Sequence, residues 1–120
     1  MTSNEPIPQR GEVWIITFDP AVGSEIQKTR PAVVVSSDSV GRLLTKLVVP
    51  LTEWKPGYTG HSWHIRVHPN TVNGLTKESA ADALQLRCIS VQRCQKRIGR
   101  LSESQMKEIA AVIASVVEFK

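Results

Sequence analysis

Two residues combine reactive chemistry with a suitable local setting: Arg30 in QKTRPAVVV (27–35) and Thr52 in KLVVPLT (46–52). Each falls where an aliphatic run meets a polar stretch, and side chains at the ends of rigid strands are frequent carriers of function. A guanidinium offers a fixed fork of donors that matches a phosphate, and it keeps its charge at neutral pH. A threonine hydroxyl nearby can supply a further hydrogen bond to a phosphate oxygen as charge develops. With RNA as substrate the ribose 2′-hydroxyl can itself be the nucleophile, so neither a metal nor a protein nucleophile is required. Taken singly these residues are weak evidence, because charged side chains at strand edges are mostly solvated surface.

Other reactive constellations are missing. The chain has no glycine-rich phosphate loop, no G-x-S-x-G elbow and no H-E-x-x-H. His64 and His68 would share a face of a strand over 62–68, about 13 Å apart at roughly 3.3 Å per residue. Two ligands on one zinc, with bonds of about 2 Å, cannot sit so far apart, and no metal site is expected. Cys88 and Cys94 make neither a disulfide framework nor a zinc-spaced set, and they read as reduced structural thiols.

At 120 residues the chain is long enough to bury a core without staples. A hydrophobic content of 41% and a charged content of 22% are those of a globular domain. The N-terminus lacks a signal pattern, and IAAVIASVV (109–117) is far short of the roughly 20 residues of a membrane span. A cytoplasmic location with no membrane partner is the expectation. The net charge of +4 is concentrated: residues 61–100 hold seven Lys/Arg against two Asp/Glu, whereas residues 1–60 balance at six and six. Such a block is the footprint expected for a phosphate-bearing partner. A solvated face poor in acids is the plainer alternative.

The elements that must position Arg30 and Thr52 are short strands. After a polar arm (1–9), EVWIITF (12–18) reads as a strand with both faces apolar. Residues 19–30 read as loop, PAVVVSS (31–37) as a strand opening on a proline, and KLVVPLT (46–52) as a third strand. SWHIRVH (62–68) alternates Trp63, Ile65 and Val67 against His64, Arg66 and His68, which puts Trp63 in the core or an interface. Residues 70–79 read as loop. ALQLRCI (83–89) places Leu84, Leu86 and Cys88 inward, with Gln85 and Arg87 outward. A short strand follows near 94–101. The period then becomes helical, with Met106, Ile109, Ile113, Val116 and Val117 on one stripe and a Ser102/Gln105 capping box at its start. The expected fold is mainly β with a C-terminal α-helix, in the form of a small barrel or strongly bent sheet.

Several of these runs resemble the MazF/PemK (Kid) family of toxin endoribonucleases. The similarity rests on Arg10-Gly11-Glu12, Asp19-Pro20, Gly23-Ser24-Glu25 and Arg30-Pro31, followed by VVPLT (48–52), ALQLRCIS (83–90) and the terminal helix. It spans nearly the whole chain from Arg10 and implies a single toxin domain over 10–120, behind a flexible arm at 1–9. The implied fold is a small SH3-like barrel of the kind shared with CcdB proteins, acting as a homodimer. The implied activity is metal-independent cleavage of single-stranded RNA at short sequences, leaving a 2′,3′-cyclic phosphate and a 5′-hydroxyl. It also implies a cognate antitoxin with an acidic C-terminal tail, and no cofactor. Carried over by position, Arg30 and Thr52 would be catalytic, while Ser24, Glu25, Gln27, Lys28, Gln85 and Arg87 would bind RNA.

One position departs from the pattern. Many members have an acid just before the glutamine of the later strand, and in the PemK/Kid branch it serves as general base; here that place is Leu84. A leucine accepts no proton, and a guanidinium is a poor base at a pKa above 12. His64 is one substitute, since imidazole titrates near 6.5. Two other readings stay open at this point: a CcdB-like inhibitor that binds DNA gyrase, and an RNA-binding module without cleavage.

Overall fold

The computed structural model describes residues 7–20, 22–25, 28–40 and 44–119. Seven strands form one antiparallel sheet: β1 (Glu12–Thr17), β2 (Thr29–Val34), β3 (Thr45–Glu53), β4 (His64–Val67), β5 (Ser79–Asp82), β6 (Arg87–Ser90) and β7 (Cys94–Arg100). A single α-helix, α1 (Glu103–Val116), follows. The strand order is β4-β5-β3-β2-β1-β7, with β6 paired alongside β3 beyond the end of β5. The expected architecture, mainly β with a terminal helix, is the one found. The sheet is bent and remains open between β4 and β7. Of the expected arm at 1–9, the first six residues lie outside the described ones.

Period-2 alternation on the central strands divides the core into two layers. Val13, Val33 and Val49 sit in register across β1, β2 and β3 and pack with Leu51, Ile65, Val67, Met106 and Ile109 beneath α1. The intervening residues Trp14, Ile16, Ala32, Val34 and Val48 fill the opposite face with Phe18 and Ile89. Both faces of β1 are therefore buried, as its two apolar faces require. The helix starts where its cap predicts, with Ser102 Oγ accepting the Gln105 N–H at 3.1 Å. Met106 and Ile109 are buried, and Ile113 and Val116 pack against the same layer. Val117 falls at the C-cap and is exposed, outside the stripe expected of it.

Two expectations fail over residues 79–90. Ser79–Asp82, read within or beside a loop, is strand β5. The single strand expected over 83–89 is broken by a 3-10 turn at Ala83–Gln85, because the Asp82 side chain accepts the Leu84 N–H and caps that turn. The turn shifts the alternation, so Ala83 and Ile89 point inward while Leu84 and Cys88 are exposed.

The sheet splits at one place. Ala32↔Pro50 is the last pair between β2 and β3. Val35 N–H donates to Leu47 O across these strands, and hydrogen-bonded pairs recur every second residue. The next two such positions are Val33 with Val49, and Pro31 with Leu51. Pro31 has no N–H to give, and the ladder stops there. Beyond it the end of β2 stays with β1 through Ile16↔Arg30 and Thr17↔Thr29, while the end of β3 leaves with β5 through Thr52↔Ala80 and Glu53↔Ser79.

A loop over 70–77 closes the space between these two ends. Buried Asn73 holds it: Oδ1 accepts from the Asn70 and Leu75 N–H groups at 3.1 and 3.0 Å, and Nδ2 donates to His68 O at 2.8 Å. Gly74 has φ +70, and a Cβ there would stand 2.0 Å from Ile98 O on β7. Gly74→Ala therefore combines a left-handed backbone, about 1–2 kcal/mol, with overpacking of about 1–3 kcal/mol. A loss of roughly 2–5 kcal/mol in urea unfolding is expected, and a neutral variant would show that the loop does not lie against β7 in this way.

At the start of β1, buried Glu12 accepts from Gln9 N–H at 2.8 Å and the Trp14 indole at 3.0 Å, and pairs with Arg97 at 2.8 Å. Burial pushes its carboxyl upward, but the bonds from Gln9, Arg97 and Trp14 outweigh that and hold it below its ordinary value. Such a group contributes stability that is complete above its unfolded value, near 4.5, and lost as pH falls through the lower folded value. Thermal melts of Glu12→Gln across that acid range should lack this part of the pH dependence shown by the wild type.

Candidate functional site

The split between β2 and β3 creates a cleft of about 350 Å³. Its walls include Arg30 and Pro31 from one strand end, Thr52 and Glu53 from the other, and the 74–77 segment. Arg30 and Thr52 each lie two residues beyond the last β2–β3 pair, Ala32↔Pro50, on the strand ends that part there. Alternation places both on the same face of the sheet. The structure thus brings together the two residues that the sequence singled out. Both lie just inside their strands, and Arg30 pairs with Ile16 on β1. The Oγ1 of Thr52 is buried and has no hydrogen-bond partner among the described residues. An unpaired buried hydroxyl costs folding energy, and native proteins satisfy nearly all such groups.

None of the other expected residues that the structure describes lines this cleft. Ser24, Glu25 and Lys28 are exposed on the loop that enters β2. There Glu25 Oε1 accepts the Val22 N–H at 2.6 Å, and the Lys28 N–H donates to Asp19 Oδ1 at 2.7 Å. Gln27 lies outside the described residues. Gln85 sits in the 3-10 turn, and Arg87, on β6 opposite Val48, holds its guanidinium 5.6 Å from the Phe18 ring centroid. Sequence reasoning singled out neither Glu53 nor Lys77. Both stand at the cleft, with Nζ and Oε2 3.7 Å apart. The adjacency of Glu53 to Thr52 was a visible signal, whereas Lys77 arrives through loop closure. Arg93, one of the basic block at 61–100, donates to Thr17 O and Asp19 O at 3.1 and 2.7 Å and clamps the end of β1.

His64 is occupied elsewhere. Its side chain is only 6% exposed, its ring stacks on Tyr58 at 3.8 Å, and its Nε2 stands 3.5 Å from Asp82 Oδ2. Its Nδ1 meets His61 Nδ1 at 3.0 Å. Burial lowers its proton affinity more than Asp82 raises it, so the ring is held neutral inside an aromatic cluster. Trp63 belongs to that cluster, half-buried and stacked on His61 at 4.3 Å. Among the described residues no three His, Cys, Asp or Glu side chains converge as metal ligands would.

Solved structures share this bent antiparallel sheet with its terminal helix. MazF from Deinococcus radiodurans superposes with a TM-score of 0.79 at 18% identity, covering 96% of this chain and all of that one. A mycobacterial endoribonuclease, solved with its cognate antitoxin, gives 0.73 at 16% identity over 94% and 97% of the two chains. In sequence, endoribonuclease MazF9 of Mycobacterium tuberculosis is 35% identical over 113 residues, spanning 84% of this chain and 88% of that protein. The family model for PemK-like, MazF-like toxins of type II toxin–antitoxin systems matches residues 9–117. The chain belongs to this toxin family.

Thr52→Val replaces the unpaired hydroxyl with a methyl of the same shape. Its unfolding free energy should be unchanged or raised by up to about 1 kcal/mol. A loss well beyond that in urea titration would reveal a structural partner for the hydroxyl.

Proposed function

We propose that this chain is an endoribonuclease toxin that cleaves single-stranded RNA at short sequences without a metal, releasing a 2′,3′-cyclic phosphate and a 5′-hydroxyl. The observation that carries the reading is the Arg30–Thr52 cleft, with a threonine hydroxyl left unpaired in its wall. A folded chain keeps such a group at a cost, and a small opening of the cleft wall would let a phosphate oxygen satisfy it. Arg30 takes the charge that builds on the phosphate, and Thr52 donates to one of its oxygens. The endoribonuclease name of MazF9 supports this reading.

Around that centre, exposed Ser24, Glu25 and Lys28, together with Gln85, Arg87 and Gln27, border the path of the RNA. Residues 10–120 act as one toxin domain behind a short arm, in the cytoplasm. A homodimer is supported by Leu44, Leu47 and Leu84, exposed apolar side chains suited to burial against a second copy. A cognate antitoxin with an acidic tail suits the basic excess of residues 61–100, and the mycobacterial relative was solved with its antitoxin.

The test is incubation with a long single-stranded RNA in excess EDTA, beside Arg30→Ala and Thr52→Val. Discrete fragments with 5′-hydroxyl ends are expected from the wild type. Each variant should cleave at least about 10²-fold more slowly, the usual effect of removing one charge-stabilising donor. Intact RNA with every protein would overturn the nuclease reading and turn attention to a gyrase-type protein target.

A further inference from the structure

Cleavage by the 2′-hydroxyl moves two protons: one leaves the attacking oxygen and one must reach the departing 5′-oxygen. Arg30 and Thr52 account for the phosphate charge and for neither proton, since a guanidinium is a poor base. The position where an acid was expected holds Leu84, which is 56% exposed on the 3-10 turn and does not line the cleft. His64 is walled into the aromatic cluster. Among the described residues of the cleft wall, one carboxylate and one ammonium are present, Glu53 and Lys77.

Their placement suits the task. Glu53 follows Thr52 on β3 and by alternation projects from the other face of the strand end, where Lys77 reaches it from the opposing loop, two residues before Ser79, which pairs with Glu53. Both side chains are 63% exposed, so a substrate can reach them. At 3.7 Å from Nζ to Oε2 the pair is in electrostatic contact without a hydrogen bond. An exposed pair of this kind adds little to folding, so replacing either member leaves the fold intact.

We propose that Glu53 is the proton acceptor and Lys77 the proton donor of the cleavage step; this rests on the endoribonuclease reading above. The Glu53 carboxylate takes the proton of the 2′-hydroxyl as the 2′-oxygen bonds to phosphorus. The bond from phosphorus to the 5′-oxygen breaks, and the Lys77 ammonium gives its proton to that oxygen. The resulting carboxylic acid and amine face each other, and one proton passing from Glu53 to Lys77 restores both. No co-reactant is needed.

The experiment maps the wild-type cleavage site, then compares Glu53→Gln and Lys77→Met on two oligonucleotides. One is all-oxygen, and the other carries sulfur in place of the bridging 5′-oxygen at that site. A thiolate leaves without a proton, so the second substrate bypasses the donor alone. On the all-oxygen substrate each variant should be slowed by about 10²-fold or more, with unchanged thermal midpoints. On the sulfur substrate Lys77→Met should return to near the wild-type rate, while Glu53→Gln stays slow. Wild-type rates in both variants, or a Lys77→Met variant equally slow on sulfur, would overturn the assignment. Failure of the wild type to cleave any RNA would instead overturn the underlying reading, and it is distinguishable because it precedes every comparison of variants.

Discussion

The nitrogen of Pro31 carries no hydrogen, and much of the site follows from that missing donor. The β2–β3 ladder is secure through Val34, Val33 and Ala32, where small and branched side chains fill both layers of the core. One hydrogen-bonded position further on, the donor is absent, and the pairing goes no further. Each strand end then follows its other neighbour. The cleft is the space between two well-paired half-sheets, so its walls are strands, and the side chains on them start from backbones already fixed by pairing and core packing. That is the condition for meeting a phosphate without a large ordering cost.

The third wall depends on close approach. Gly74 and Gly99 let the 70–77 loop and β7 come together where any Cβ would collide with backbone atoms, and Asn73 uses both ends of its amide to tie the loop. A loop of this length could wander at small entropic cost if left unanchored. Anchored, it delivers Lys77 to the rim opposite Glu53. The cleft therefore has opposite charges at its mouth and an arginine in its wall, an arrangement that attracts an anion and still keeps a carboxylate beside it.

Residues whose types look reactive are turned to structure elsewhere. His64 and His61 are locked among Tyr58, Trp63 and Asp82, where stacking and burial keep His64 neutral. Arg93 is spent on two carbonyls at the end of β1, and Arg97 on the buried Glu12 carboxylate that also holds the Trp14 indole. Several members of the basic block thus have structural partners, which a count of charges cannot distinguish from partners yet to bind.

Local rules determined much of this protein from sequence alone. Strand period placed the central strands and their buried faces, Ser102 marked the helix start, and Arg30 and Thr52 stood out because each stands at one end of an aliphatic run. These features depend on neighbours a few residues apart, and the chain carries that information directly. The 83–89 segment was misread because a single side chain, Asp82, captured a backbone N–H and reset the alternation, a local event that period alone does not reveal. The meeting of Arg30 with Thr52, the arrival of Lys77 beside Glu53, and the withdrawal of His64 from chemistry were decided only by tertiary structure. Each joins parts of the chain through pairing register, loop anchoring or packing, and those contacts have no signature in the spacing of residues along one strand.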